Sequence, residues 1–152
     1  MFVGHLPAGL LLADAALRGR SAPSRLWWGA AALGSVCPDF DLVWFYLVDG
    51  RRTLHHEYWT HLPFVWLCLA PLFLWHALGR IFLAAVVSHL VLDTMVGGIL
   101  WAWPWNNRSF ALFSVPALHG WWVWSFLTHW TFLVEITLVV WAVLQLRRRS
   151  LS

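Results

Sequence analysis

Long apolar segments dominate this chain and limit the folds open to it. Five can be drawn, over residues 3–17, 26–48, 62–79, 81–103 and 121–146, separated by short connections that carry arginine or proline. A helix needs roughly 20 apolar residues to cross a bilayer, so the pattern predicts about four to five membrane helices. Pro38 should interrupt the second of them. We therefore expect an all-α integral membrane protein that forms a single domain over residues 1–152.

The charged residues are few and their distribution indicates topology. Only 11% of the 152 residues are charged, whereas soluble domains have roughly 25%. The ten basic residues are all arginine, and arginine beside apolar segments usually marks orientation and lipid headgroup contact, so we expect no nucleic-acid partner. With Arg147, Arg148 and Arg149 in the cytoplasm, counting back through five spans predicts that the acids and histidines face outwards.

Acids and histidines in or beside the apolar segments are the main functional signal. Such groups are costly in a bilayer and usually line a site, which favours an intramembrane metal centre. His89 and Asp93 lie one helical turn apart on one face and could bind a metal together. Asp39 and Asp41 follow Pro38, and a carboxylate that bridges two cations is usual in two-metal hydrolases. The alternatives are a structural His–carboxylate pair and a polar helix break that faces water.

The segment 55–61 is the densest cluster of ligand types, with His55, His56, Glu57 and His61. Imidazole and carboxylate suit zinc, iron, nickel or manganese, and without a nearby thiolate they favour an open catalytic site over a closed structural one. Glu57 is a candidate ligand or general base, and Asp41 is the other candidate base. An interfacial loop whose histidines contact lipid headgroups is the alternative interpretation.

Further polar residues are candidates for supporting roles. Guanidinium groups bind phosphate, so arginines of the outer side could hold a lipid or another phosphoester, or simply anchor the protein at the interface. These arginines are Arg51, Arg52 and Arg108. In the last apolar segment Glu135 requires a buried partner, which could be a metal-bound histidine, and His129 lies nearby.

The order of these motifs resembles that of a known family. The motifs are His5, Pro38-Asp39-Phe40-Asp41, His56 to Thr60-His61, Ser88-His89 followed by Asp93, Gly97 or Gly98, and Trp103-Pro104. Over residues 5–110 they look like the YdjM-like inner-membrane proteins, which are described as membrane-bound metal-dependent hydrolases. That family is in turn similar to zinc-dependent phospholipase C. The chain departs from the usual family pattern at Glu57, Tyr58 and Leu62, which implies a different substrate.

The resemblance implies a ligand set, an activity and a location. By analogy, Asp39 would bridge two divalent ions, with zinc the first choice and manganese, iron or nickel as alternatives. The ligands would be His5, Asp39, His56, His61, His89 and Asp93. The expected activity is hydrolysis of a lipid or lipid-linked phosphoester at the inner membrane of a prokaryote. His129 and Glu135 are six residues apart, which does not match the His-x-x-x-Glu pair of the phospholipase.

Two other classes of protein remain open at this point. A haem-binding membrane protein could use His89 and His129 as axial ligands, although a haem would not require Asp39 and Asp93 nearby. A scaffold or metal carrier would keep the metal ligands without hydrolytic activity. Metal content and a search for a Soret band distinguish these classes.

Overall fold

A computed structural model describes residues 3–18, 25–116 and 122–150 of the chain. The regular elements in these ranges are helical, apart from one isolated antiparallel bridge between Ile99 and Phe110. The α-helices are α1 (His5–Ala16), α2 (Arg25–Val36), α3 (Asp41–Leu47), α4 (Pro63–Leu74), α5 (Ala77–Asp93), α6 (Trp122–Leu127) and α7 (Phe132–Ser150). Three short 3-10 turns, Pro38–Phe40, His55–Glu57 and Trp59–His61, lie between α2 and α4.

No helix in these described ranges has both the length and the apolar character needed to cross a membrane. The prediction of an integral membrane protein with four to five membrane helices is therefore wrong. The apolar segments do not fold as single long helices. Segment 26–48 is divided at Pro38 into α2, of 12 residues, and α3, of 7 residues, because proline has no N–H to continue a helix.

The remaining segments depart from the prediction in similar ways. Segment 62–79 forms α4, which has 12 residues, and segment 81–103 contributes to α5, which has 17 residues. Segment 121–146 contributes to α6, of 6 residues, and to α7, of 19 residues, whose last turn carries three arginines. The prediction that the acids and histidines face outwards rests on counting five spans. Without those spans, that prediction has no basis.

Helix α5 is central to the packing, because α1, α2 and α4 all contact it, while α7 packs on α1. Small residues let α1 and α2 approach α5 closely: Ala13 of α1 and Ala31 of α2 are fully buried and cluster with Ile81 of α5. Gly34 of α2 lies directly against the backbone carbonyl of Phe82, so any side chain there would collide with α5. This close contact sets the position of α2 against the half of α5 that precedes His89.

A second apolar cluster joins α4 to α5 and reaches the turns that precede α4. Trp66 packs against Val86 and Leu90. The indole Nε1–H of Trp66 donates a hydrogen bond to the backbone carbonyl of Thr60 at 2.7 Å. Burial of the indole thus also fixes the turn that carries His61, since a buried N–H requires an acceptor.

The segment after α5 folds back over the end of that helix. Ile99 pairs with Phe110 through two backbone hydrogen bonds of 3.1 and 2.9 Å, and the Leu112 amide donates to the carbonyl of Thr94 at 2.8 Å. These bonds hold residues 98–112 beside the carboxyl end of α5, where Asp93 lies.

Candidate metal centre

Ligand-type side chains from four separate parts of the chain meet near the carboxyl end of α5. Proline produces one part, since the turn at Pro38 stops α2 and turns the following acids inwards. Helical periodicity produces another, because residues four apart share a face of α5. The side chains that meet are His5 at the start of α1, Asp39 after α2, His55, His56 and His61 in the turns before α4, and His89 and Asp93 in α5.

Asp93 is 1% exposed and is surrounded by imidazoles. Its Oδ1 lies 3.1 Å from Nε2 of His5. Its Oδ2 lies 3.0 Å from Nε2 of His89, 3.5 Å from that of His61 and 3.6 Å from that of His56. One carboxylate therefore faces four ring nitrogens that come from three parts of the fold.

Asp39, in the turn after α2, contacts some of the same histidines. Its Oδ1 lies 3.2 Å from Nε2 of His55, 3.6 Å from that of His89 and 3.7 Å from that of His61. The side chain remains 30% exposed. His61 and His89 consequently lie between two carboxylates, one of them buried and the other open to solvent.

The other ring nitrogens of His61 and His89 are held by the protein. Nδ1–H of His89 donates to the carbonyl of Ser35 at 2.6 Å, and because a carbonyl can only accept, the proton must be on Nδ1. Nδ1 of His61 lies 2.8 Å from Oδ2 of Asp41. A hydrogen bond at one ring nitrogen fixes the tautomer and aims the other nitrogen, as is usual for histidines that bind metals.

The Nε2 atoms aimed in this way are buried and make no hydrogen bond among the described residues, although they lie 3.0 Å (His89) and 3.5 Å (His61) from Oδ2 of Asp93. Buried polar atoms are normally paired, so such atoms require an explanation. A divalent cation between the imidazoles and the carboxylates would satisfy them, and nitrogen and oxygen donors suit zinc and its first-row neighbours. The residues present fit a metal ion.

The pKa values of Asp39 and His61 reflect the negative charge that the carboxylates bring to the cluster. Burial alone would raise the pKa of the Asp39 carboxyl, but the contacts with the imidazoles of His55 and His61 hold it well below its usual range. Burial would lower the pKa of His61, whereas the nearby carboxylates of Asp39, Asp41 and Asp93 raise it to about 10. Without a metal, a proton on His61 thus supplies the positive charge that these carboxylates require.

Among the residues that the structure describes, three overlapping groups of donor atoms could each hold an ion, with the atoms of a group within 4.8 Å of one another. The groups are His5, Asp39 and His89; His61, His89 and Asp93; and His55, His56 and His61. His61 and His89 each belong to two groups, but each ring has only Nε2 to offer, so an ion bound by one group would exclude an ion from the group that overlaps it. Two ions would require a carboxylate that bridges them, and Asp39 and Asp93 each face imidazoles from more than one part of the fold.

A family model, described as the YdjM inner membrane protein family, matches residues 1–150. The chain belongs to the YdjM family. The predicted family resemblance is therefore confirmed, and the family description supports the predicted location at the inner membrane. No curated protein and no solved structure matches the chain, so the similarity to zinc-dependent phospholipase C stays a prediction.

Asp41, a predicted general base of this YdjM family member, is 6% exposed and lies behind the histidines. Its Oδ2 accepts hydrogen bonds from the Thr60 hydroxyl and from Nδ1 of His61, and its Oδ1 lies 3.0 Å from Nδ1 of His55. These contacts orient ring nitrogens. Thr60 thus helps to hold Asp41 in place behind the histidines.

A cavity of about 470 Å³ opens beside the histidines of the 55–57 turn. Arg51, Arg52 and Glu57 line it, together with His55 and His56, and the first three are exposed. Two of the three predicted phosphate-binding arginines therefore lie next to the cluster. Arg108 is exposed as well, but the described lining of this cavity includes its neighbour Ser109 instead.

His129 and Glu135, the two candidates from the last apolar segment, both lie outside the cluster of metal-ligand side chains, and their contacts differ. Nδ1 of His129 is 2.9 Å from the Thr131 hydroxyl, and its ring lies against Trp130. Nε2 of His89 meanwhile faces Asp93, so the described contacts do not pair these two histidines as haem ligands would be. Glu135 is fully buried and contacts the backbone just before His5.

The structure adds two groups that the sequence prediction omitted from the site. His55 contacts both Asp39 and Asp41, although only its neighbour His56 is in the predicted ligand set. The Ser35 carbonyl orients His89. The 3-10 turn at His55–Glu57 explains the first omission, since it brings adjacent histidines to one cluster. No sequence signal identifies a backbone carbonyl that comes from another helix.

Proposed function

We propose that this protein is a metal-dependent hydrolase that cleaves a phosphoester in a lipid or lipid-linked substrate. One observation carries the proposal. His61 and His89 each have Nδ1 anchored and Nε2 aimed between Asp39 and Asp93. In a structural His–carboxylate pair, the ring nitrogen that faces the acid makes a hydrogen bond to it. In a metal ligand, by contrast, that nitrogen makes no hydrogen bond, because it must be open to bind the ion.

The two carboxylates on either side of the histidines, each able to bridge, favour two divalent ions, with zinc as the first choice. His5, Asp39, His56, His61, His89 and Asp93 would hold them. Such ions, when bound, polarise a phosphoryl group and make water a better nucleophile near neutral pH. No described ligand group contains cysteine, and mixed nitrogen and oxygen donors are typical of catalytic sites.

The remaining residues of the site have tasks that the bound ions do not perform. Asp41 and the Ser35 carbonyl keep the rings of His61 and His89 in the tautomer that leaves Nε2 open. At the cavity, Arg51 and Arg52 would bind the phosphate, because guanidinium groups match its oxygens in charge and geometry. Glu57, at the rim, would exchange a proton with the entering water or the leaving group.

A lipid or lipid-linked substrate is the class that the surroundings support. The family is one of inner membrane proteins, and Phe45 and Leu54 lie in the cavity lining beside the arginines and histidines. A phosphate bound by arginine next to apolar side chains corresponds to a lipid headgroup and the first part of its tail. The same ligand set without hydrolysis would describe a metal carrier.

Elemental analysis and activity assays on purified protein test this function together. We expect about two transition-metal ions per chain in the wild type and hydrolysis of at least one member of a panel of phospholipids and lipid-linked phosphoesters. An Asp39→Ala, His89→Ala double variant should lose both. His76→Ala is the matched control, because His76 is exposed before α5 and outside the described donor groups; it should keep both. Metal retained by the double variant would sink the proposed site, and metal without hydrolysis would indicate a carrier.

A further inference from the structure

Glu135 of α7 is completely buried, and its carboxylate reaches the start of the first helix. Oε2 accepts hydrogen bonds from the backbone N–H groups of Val3 and Gly4, the second at 2.9 Å. The two ends of this interaction are more than 130 positions apart in the sequence. The contact is therefore tertiary and fixes the beginning of α1 relative to α7.

The position of these amides gives the contact its importance. Gly4 caps α1 and His5 is its first residue. N–H groups at a helix start lack partners within the helix, and a carboxylate there satisfies them and interacts favourably with the helix dipole. Glu135 thereby controls where the backbone of His5 lies.

Small movements of that backbone would matter because the ring of His5 is packed tightly in the cluster. Its Nε2 lies 3.1 Å from Oδ1 of Asp93. The ring also stacks on His89, with centroids 3.7 Å apart and planes 14° from parallel. A displacement of about 1 Å at a site of this kind is sufficient to disturb ligand geometry.

We propose that Glu135 is a positioning residue of the metal centre, which acts through His5. By holding the Val3 and Gly4 amides it keeps the His5 imidazole against Asp93 and His89, so that His5 enters the site already oriented. The proposal rests on the metal centre of the proposed function but not on hydrolysis. It extends the site from α5 and the turns before α4 to α7.

The far end of the same helix pair provides a matched control. Asp14 of α1 is also buried, and it contacts Arg149 and Gln145 of α7. Like Glu135, it joins α1 to α7 through a buried carboxylate. It lies nine residues, or roughly 13 Å, along the helix from His5. A variant at Asp14 therefore loosens the packing of α1 on α7 without touching the amides before His5.

Zinc affinity, measured by competition with a chromophoric chelator, separates positioning from packing. Glu135→Ala should weaken binding about 10-fold to 100-fold, the usual effect of losing a group that orients a ligand. Glu135→Gln keeps an acceptor oxygen and should stay close to the wild type, while Asp14→Asn should leave the affinity unchanged. In a His5→Ala background, Glu135→Ala should have no further effect, because it acts through that ring. Equal losses in both backgrounds, or the same loss in Asp14→Asn, would overturn the proposal.

A second measurement tests the positioning of His5 even if Glu135→Ala does not fold or if the wild type binds no zinc. Imidazole NMR signals of metal-free protein are assigned to His5 by their loss in His5→Ala. Glu135→Asp, which retracts the carboxylate by one methylene, should shift these signals, and Asp14→Asn should not. Unchanged His5 signals in Glu135→Asp would refute the positioning role. Absence of zinc in the wild type would instead refute the metal centre.

Discussion

A buried carboxylate lies at each end of helix α1, Asp14 at one end and Asp93 beside His5 at the other, and the negative charges of the two are neutralised by different groups. Towards the carboxyl end, Asp14 is 3% exposed and contacts the guanidinium of Arg149, which also donates from Nη2 to the Asp14 carbonyl at 3.1 Å. Gln145 adds a hydrogen bond of 3.3 Å. An arginine is charged at all accessible pH values, so the protein itself supplies the counter-charge at this end.

At the other end, His5 enters a cluster in which the described partners of the carboxylates are mainly histidines. Asp39, Asp41 and Asp93 all contact imidazole nitrogens. An imidazole is cationic only when protonated, so these acids need either protons on histidine or metal cations. The comparison shows that burial of the carboxylates alone does not identify the site; the type of partner does.

The largest expected effect is on stability, and it tests the end of α1 where Arg149 neutralises Asp14. Asp14→Asn should lower the free energy of unfolding by about 3 kcal/mol, because it leaves a partly buried guanidinium without its carboxylate. This value is the lower end of the usual range, since Arg149 keeps 27% of its side-chain surface exposed. Chemical denaturation of the metal-free protein provides the measurement. Arg148→Gln, which changes an exposed neighbour, should have little effect.

If Asp14→Asn also abolished zinc binding, the two ends of α1 would be one cooperative unit, and the comparison between them would fail.

Zinc bound at the His5 end of α1 should raise the free energy of unfolding by a slightly smaller amount. A ligand that binds only the folded state adds about 2.7 kcal/mol to the free energy of unfolding at 100 times its Kd. We expect this gain for the wild type and for Asp14→Asn. His89→Ala should gain nothing, because it removes a nitrogen shared by two donor groups. Denaturation with and without zinc checks this, and an undiminished gain in His89→Ala would mean that the stabilising ion binds elsewhere.

Much of the site could be predicted from the sequence because its ligands come in short motifs. Spacing alone places His89 and Asp93 on one face of α5, and Pro38 accounts for the turn that brings Asp39 inwards. The orienting contacts could not be predicted in this way. The Ser35 carbonyl and the amides before His5 are backbone groups, and their roles follow only from the packing of helices distant in sequence.

The fold was harder to predict than the site, because hydropathy does not determine helix length. The apolar segment 26–48 has enough residues for one membrane helix, but Pro38 divides it into α2 and α3. In the last segment, α7 has 19 residues, and its last turn carries three arginines. Local breaks and terminal charges, which a hydropathy window averages away, decided the outcome in both places.

The smallest expected effect concerns substrate and tests whether the cavity belongs to the metal-binding end. Arg51→Ala and Arg52→Ala should each raise KM for a phosphoester about fivefold, since exposed ion pairs contribute little, and the effect should shrink at high salt. Zinc affinity should not change, because neither arginine belongs to a donor group. Arg108→Ala is the control outside the described cavity lining and should leave KM unchanged. If Arg108→Ala raised KM while the other two variants did not, the phosphate would bind on a different face, and the cavity beside His55 and His56 would lose its proposed role.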